Sequence, residues 1–374
     1  LVELLIASAL GLLIVAALTQ LYADIINTNR EMAKTNSQIE NARFAMQFLR
    51  NDIVHAGYWG VFVPEFDDLM LGDMPSDAPD PRPPPQTPAL SPPDPCLPVA
   101  TWIVDQNEVN ARLGIPVQTY DAVPGTCGGI INNKLANTDV LVVRHAENCV
   151  AGIGNCDAEV AGELIFQASN CTGVNPFGNL ELEATPPLYY KLDPNSPQPL
   201  HERDCVTPAE KRRFIQNIYY VRDYAVTVGD GIPTLVRSEF DLAGGVLAQQ
   251  PAQALVQGIE RFWIELGIDD LSETGQEVDY GRDPGWVDPT EWTVAQYRGD
   301  GIPDLQDIDA DGVRDEEFVH CSTAVPCPVD QLQNVVAVKL YILARADQET
   351  AGYTDTKTYA LGSGNDAASG AGVV

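Results

Sequence analysis

The residues best suited to chemistry lie in one acidic stretch, DGIPDLQDIDADGVRDEEF, at positions 300–318. Its aspartates follow the pattern D-x-D-x-D-G-x-x-D, in which oxygen ligands alternate before a glycine turn and a backbone carbonyl. Carboxylate and carbonyl oxygens favour Ca²⁺ over transition metals. The sequence therefore predicts a calcium site here, with a solvated acidic loop as the alternative. The candidate ligands are Asp304, Asp307, Asp309, Asp311, Val313 and Asp315.

The stretch is not a complete EF-hand loop, because its twelfth position is Phe318 instead of glutamate. The upstream DGIPD makes it resemble a thrombospondin type 3 calcium repeat, in which Asp300 and Asp304 would add ligands. Glu316 is a further candidate oxygen donor. Seven acidic residues from Asp304 to Glu317 would repel one another without a cation, which favours the calcium hypothesis.

Eight cysteines, an even number, all lie beyond residue 95, and no CxxC pair occurs among them. Without paired ligands at zinc spacing, disulfides in an exported domain are the better interpretation. Short loops favour the pairs Cys149–Cys156 and Cys321–Cys327, and the pairing of the others stays open. Those others are Cys96, Cys127, Cys171 and Cys205.

Catalysis has little support in the sequence. The four histidines are scattered, none lies beside a serine or cysteine in a nucleophile motif, and no phosphate-binding loop is present. A net charge of −31 would repel phosphate backbones, which argues against direct nucleic-acid binding. We therefore expect neither an enzyme nor a nucleic-acid-binding protein.

The first 57 of the 374 residues predict one long helix. No charge occurs from Leu4 to Leu18, and about 20 helical residues span the roughly 30 Å of bilayer hydrocarbon. The pattern then becomes amphipathic, with apolar residues near i, i+3, i+4 spacing as far as Ala56, and Gly57 is a stop signal. The predicted helix is thus apolar all round in its first half and amphipathic in its second.

Glu3 stands at the edge of the apolar run. A carboxylate in lipid is costly and is by default a hypothesis of function. The alternatives are a hydrated position at the membrane interface and a favourable interaction with the helix N-terminus.

LVELLIASALGLL (residues 1–13) resembles the N-terminal segment of type IV pilins and type II secretion pseudopilins. The resemblance implies that Glu3 neutralises the free amine of a neighbouring subunit during assembly, and that a prepilin peptidase cleaves before a methylated aromatic residue upstream of Leu1. Further segments resemble the PilW family of large pilus-assembly subunits. These are residues 41–60, 138–146, 218–226, 255–269 and 335–346.

The expected fold is α+β, with the long helix packed on a mainly antiparallel β-sheet body. Short runs rich in β-branched and aromatic residues predict its strands, and a proline-rich stretch reads as an extended surface segment. The strand candidates are Val140–Val143, Ile215–Val221, Leu235–Phe240, Phe262–Leu266 and Val335–Leu343. The expected regions are the helix at 1–57, a proline-rich linker at 58–98, a disulfide-containing body at 99–278, an acidic insertion at 279–330 and C-terminal strands with a tail at 331–374.

The resemblance implies a structural subunit of a type IV pilus or a similar extracellular filament. It would wait in the cytoplasmic membrane with its body exported, and its partners would be other pilin subunits, the assembly platform and the prepilin peptidase. A type II secretion pseudopilin is one alternative. A membrane-anchored, calcium-dependent adhesin is an alternative of another class.

Overall fold

The structure, a computed structural model, describes residues 2–62, 91–182, 184, 189–193, 199–279, 285–288, 294–306, 315–316, 318–346, 350, 359 and 361–362. Its helices are α1 (Val2–Ile53), α2 (Val99–Trp102), α3 (Gln106–Gly114) and α4 (Val329–Gln333). Its strands are β1 (Val117–Tyr120), β2 (Val140–Ala146), β3 (Ile165–Ala168), β4 (Tyr190–Asp193), β5 (Arg212–Arg222), β6 (Thr234–Ala243), β7 (Val246–Gln249), β8 (Gln253–Gln257), β9 (Ile259–Ile268), β10 (Leu305–Gln306), β11 (Asp315–Glu316), β12 (Phe318–Val319) and β13 (Val335–Ala344). The predicted α+β fold is confirmed.

Helix α1 ends close to the predicted stop. Its last residue is Ile53, and Gly57 follows with a φ of +75°, a conformation that costs glycine least. A Cβ at this position would lie 3.3 Å from Cγ of Pro116, and the Gly57 N–H donates to the carbonyl of Arg144 at 3.0 Å. The chain therefore leaves the helix in close contact with the sheet.

The larger sheet is antiparallel and is organised around β5. Strand β5 pairs with β2, β3 and β6, and the order from one edge is β1-β2-β5-β3-β4, with β7 and β8 attached to β6. Both faces of β2 are covered, since Leu141 and Val143 pack in one hydrophobic cluster and Val140 and Val142 in another. This burial explains why the strand is a continuous apolar run in sequence.

A second antiparallel sheet has the order β12-β9-β13, and α1 packs against β13 and β8. Asp139, just before β2, joins the two sheets. Its N–H donates to the carbonyl of Phe262, and its Oδ2 accepts from the N–H of Ile264, at 2.8 Å each. All five predicted strand segments lie in β2, β5, β6, β9 and β13, which confirms them.

The proline-rich stretch meets the body at its C-terminal end. Pro93 and Pro95 are buried, which corrects the expectation of a surface segment for this part. Three successive carbonyls, of residues 93, 94 and 95, accept hydrogen bonds from the side chains of Gln118, Arg112 and Gln216. Side-chain donors thus hold a segment whose prolines lack N–H groups.

All eight cysteines are paired. The disulfides are Cys96–Cys127, Cys149–Cys156, Cys171–Cys205 and Cys321–Cys327. The structure thus has both pairings that short loops favour, and it resolves the four cysteines whose pairing the sequence left open.

Candidate functional site: the amino-terminal helix and its anchorage

The first part of α1 has no cover from the rest of the described chain. Val2, Leu13 and Leu21 expose 69%, 67% and 56% of their surface, and Glu3 lies in the first turn, exposed beside them. By length and composition this helix could cross a membrane. A carboxylate at one end of a long apolar rod is the arrangement that the sequence predicts.

The second part of α1 is fixed to the body by apolar contacts. Ala45 and Leu49 are fully buried in the core that α1 shares with both sheets. The rings of Phe48 and Tyr219 meet edge to face with centroids 6.1 Å apart, and the guanidinium of Arg237 lies over Phe48. These contacts confine the burial to one face of the helix, as its spacing predicts.

A polar cluster at Asp52 completes the anchorage. The Asp52 carboxylate accepts from Asn217 Nδ2 at 3.0 and 3.1 Å and from the Tyr219 hydroxyl at 2.9 Å, and it lies 2.9 Å from His145 Nε2. Burial raises the pKa of the Tyr219 phenol, and the neighbouring Asp52 carboxylate raises it further, so the phenol remains a donor. The sequence feature that could have identified Asp52 is an acidic residue on the apolar face of an amphipathic helix.

Two other histidines also pair with carboxylates. His201 and Glu181 lie 2.6 Å apart and both are buried, and Ser169 and Asn175 donate to the same carboxylate. Burial raises the pKa of Glu181, but these hydrogen bonds together bring it below its ordinary value. His320 contacts Asp139 and stacks on Trp263. Each pair lies at a junction between chain segments, where it can hold the segments together.

The base of the acidic stretch is described in part. Asp304 Oδ2 accepts from the N–H groups of Asp270 and Leu271 at 2.7 and 2.8 Å, and Asp300 Oδ1 accepts from Ile302 at 2.9 Å. Strands β10 and β11 pair on either side of residues 307–314. The candidate ligands Asp307, Asp309, Asp311 and Val313 lie outside the described residues, and Asp315 is described only as part of β11.

Asp269 is an acidic neighbour that sequence reasoning missed. It is 4% exposed at the C-terminal side of β9, and its carboxylate accepts from the N–H of Gly301 at 2.6 Å. Burial, with the nearby charges of Asp300 and Asp304, raises its pKa to about 6. The sequence feature that could have identified Asp269 is its position as a carboxylate directly after a buried strand.

A group of possible metal ligands at Asp94, Cys96 and Cys127 is accounted for by other bonds. Both cysteines are in one disulfide, and Asp94 accepts from the N–H groups of Cys96 and Thr126. The carboxylate thus fixes a disulfide-bonded turn.

Residues 218–372 match the family model PilW, Type IV Pilus-assembly protein W. Comparisons with curated proteins and with solved structures returned no match. The matched range includes the segments 218–226, 255–269 and 335–346 that carry the resemblance in the sequence, whereas 41–60 and 138–146 lie before it. The apolar α1 and this match together fit a membrane-anchored, exported protein. From within β5 onwards, the chain thus matches the PilW family model, which confirms the resemblance to that family over residues 218–372.

Proposed function

We propose that this protein is a structural subunit of a type IV pilus or a similar filament. Its α1 is held in the cytoplasmic membrane before assembly and packs among the helices of neighbouring subunits afterwards. The partners of this cycle are other pilin subunits, the assembly platform and a prepilin peptidase.

The observation that supports the proposal is the contrast within α1. The first half of the helix is apolar all round and finds no cover among the described residues, so it needs lipid or other helices as its surroundings. Among the described residues, the hydrogen bonds between α1 and the rest of the chain begin at Glu31 and Lys34, which both bond to the hydroxyl of Thr350. They continue at Asn41, which donates to the carbonyl of Gln257. The amino-terminal part therefore projects as a free rod that other subunits can surround.

Glu3 supplies the test of assembly. Glu3→Ala should leave membrane insertion intact, since it removes a charge from an apolar segment, and should lower the subunit in sheared filaments at least tenfold. Asp24→Ala is the matched control, because it removes another exposed carboxylate from the same helix. Wild-type amounts of Glu3→Ala in filaments would contradict the role of Glu3. An equal decrease of both variants in filaments would mean that assembly depends on the number of acidic residues in the helix and not on the position of Glu3.

We further propose that the acidic stretch at 300–318 binds Ca²⁺ and stabilises the exposed body. The supporting features are the D-x-D-x-D-G-x-x-D pattern, the pairing of β10 with β11 around residues 307–314, and the crowding of carboxylates at its base. Burial is the largest cause of the raised pKa of Asp269, and the charges of Asp300 and Asp304 raise it further. A divalent cation nearby would relieve the repulsion.

Thermal unfolding of the full chain in detergent tests calcium binding. Millimolar Ca²⁺ should raise the melting temperature more than Mg²⁺, because Mg²⁺ demands stricter geometry and gives up water reluctantly. Asp309→Asn with Asp311→Asn should abolish the shift. Glu273→Gln with Glu277→Gln, which removes two exposed charges nearby, should retain it. An unchanged melt of the unmutated protein would reduce the stretch to a solvated loop.

A further inference from the structure

A column of apolar side chains continues along α1 after its fully apolar first part. Ile25, Met32, Ile39 and Met46 follow Leu18 at intervals of seven residues. They expose 49%, 59%, 53% and 39% of their surface. Seven residues make almost two helical turns, so these side chains lie on one side of the helix. The second part of α1 therefore has an uncovered apolar stripe as well as the face that packs on the body.

This stripe faces away from the body. Asp52, which bonds to Asn217 of β5, marks the side of α1 that contacts the sheets. At about 100° per residue, Ile39 lies about 140° around the helix from Asp52, and Arg50 lies about 160° from it. The body thus covers one side of the helix and leaves the other side open.

Polar residues alternate with the apolar ones along the stripe. Four residues after each apolar side chain comes an asparagine or an arginine, namely Asn29, Asn36, Arg43 and Arg50. Alternate spacings of four and three are those of the two core positions of a coiled coil, and a polar residue there lowers stability but fixes the register and the partner. We call these eight residues the outer seam. Its pattern is that of a helix-packing surface that selects its partner.

The two arginines of the outer seam have no partner within the described chain. Arg43 and Arg50 are exposed, and their side chains make no hydrogen bond or ion pair there. A chain with a net charge of −31 thus presents an unpaired basic pair on this face. Charge complementarity therefore calls for carboxylates in whatever covers the outer seam.

A second copy of α1 does not supply these carboxylates. Helices anchored in one membrane by the same end run parallel, so polar seam positions meet polar seam positions. In register, each arginine would face the same arginine. A shift by seven or fourteen residues would bring only arginines or asparagines opposite Arg43 and Arg50. Like charges across the seam disfavour self-pairing.

We propose that the outer seam docks a parallel α-helix from a different subunit of the same filament. That helix has apolar side chains at seven-residue spacing and Asp or Glu opposite Arg43 and Arg50, and the ion pairs select it over a second copy of this chain. The inference rests on the proposed filament role, because it names the partner of the same helix. From Ile25 to Arg50 the contact would extend over about 38 Å.

Reversal of the two charges turns this chain into its own complementary partner. Full-length Arg43→Glu with Arg50→Glu is mixed in mild detergent with affinity-tagged unmutated protein, and the amount captured with the tagged chain is measured. Capture should exceed that of untagged unmutated protein about fivefold, because two ion pairs replace two repulsions. The excess should vanish in about 1 M salt. The variant is more negative overall, so general attraction between the chains does not explain an increase.

Two further variants separate the seam from charge alone. Arg30→Glu with Arg203→Glu changes the net charge equally at exposed residues outside the seam and should give no increase. Ile39→Asn, added to the charge-reversed protein, removes an apolar contact at the middle of the seam and should abolish the increase. All these side chains are exposed, so each variant should melt as the unmutated protein does.

The capture experiment overturns the proposal in three ways. No increase with the charge-reversed protein would exclude the outer seam as a docking surface. Equally strong capture of the unmutated protein by itself would make a second copy the partner. An increase that survives Ile39→Asn would mean that the charges attract without helix packing.

Filaments separate this inference from the proposed function. Arg43→Glu with Arg50→Glu should be about fivefold scarcer in sheared filaments than Arg30→Glu with Arg203→Glu, because the natural partner keeps its carboxylates. Absence of the unmutated protein from filaments would overturn the proposed function, and capture in detergent would still test the seam. Unmutated protein in filaments together with equal amounts of both variants would contradict the seam alone.

Discussion

The two parts of α1 differ in what covers them, although the helix between them is continuous. Leu13 is 67% exposed, whereas Leu49 is fully buried against the sheets. One helix thus serves two interfaces, one inside the molecule and one that the described residues leave open. The comparison shows that an apolar side chain in a helix is not always part of the hydrophobic core of its own chain. The position of the residue relative to the body decides whether that chain buries it.

Leucine truncations should expose this difference most strongly. Leu49→Ala removes packing from a fully buried site and should cost about 2–5 kcal/mol of unfolding free energy. Leu13→Ala, at an exposed site on the same helix, should cost close to nothing. Denaturant unfolding of both full-length variants in detergent makes the measurement. Similar losses at the two sites would contradict the division of α1.

The disulfides should stabilise the body without affecting the free part of α1. Cys96→Ala with Cys127→Ala opens a loop with a sequence separation of 31 and should cost about 4 kcal/mol. Cys149→Ala with Cys156→Ala opens one of 7 and should cost about 2 kcal/mol. Unfolding of each pair followed by tyrosine and tryptophan fluorescence makes the measurement, and the reverse order would contradict the loop-length argument.

The Asp52 cluster should hold the junction between the two parts. Asp52→Ala leaves donors of Asn217 and Tyr219 without their acceptor and should cost about 2 kcal/mol. Asp24→Ala, on the exposed part of the same helix, is the control and should cost nothing measurable. Hydrogen exchange should show faster exchange near residues 45–57 in Asp52→Ala alone. Unchanged protection there would mean that apolar contacts suffice for the anchorage.

Acid should weaken the body through Glu181, with the smallest of these effects. Its pKa in the folded protein lies below the ordinary 4.5, because its hydrogen bonds outweigh burial. The folded state therefore favours the ionised form, and the resulting stability is present above pH 4.5 and is lost as pH falls below it. Melting temperatures between pH 6 and 3 should fall less steeply in Glu181→Gln. Identical slopes would exclude this carboxylate as a source of the acid sensitivity.

The fold could be predicted from the sequence where a local pattern of apolar residues is typical of one secondary-structure element. The spacing of Ala45, Phe48 and Leu49 predicted the buried face of α1, and apolar runs predicted the main strands. The longer disulfides depend on which loops meet in space, which spacing does not encode. Asp52 and Asp269 were missed as site residues because their partners come from distant strands and loops. Burial of Pro93 was missed because its acceptor role depends on Gln118, a side chain from another element.

The central claim, that the free part of α1 packs against neighbouring subunits in a filament, is tested most directly by photo-crosslinking. Benzoylphenylalanine replaces Leu13 in one protein and Val246, an exposed residue of β7, in another. In sheared filaments the probe at Leu13 should form covalent adducts with other pilin subunits, and in the membrane pool it should form few. A protein present in filaments with no adducts at Leu13, or with adducts at Val246 alone, would contradict the account.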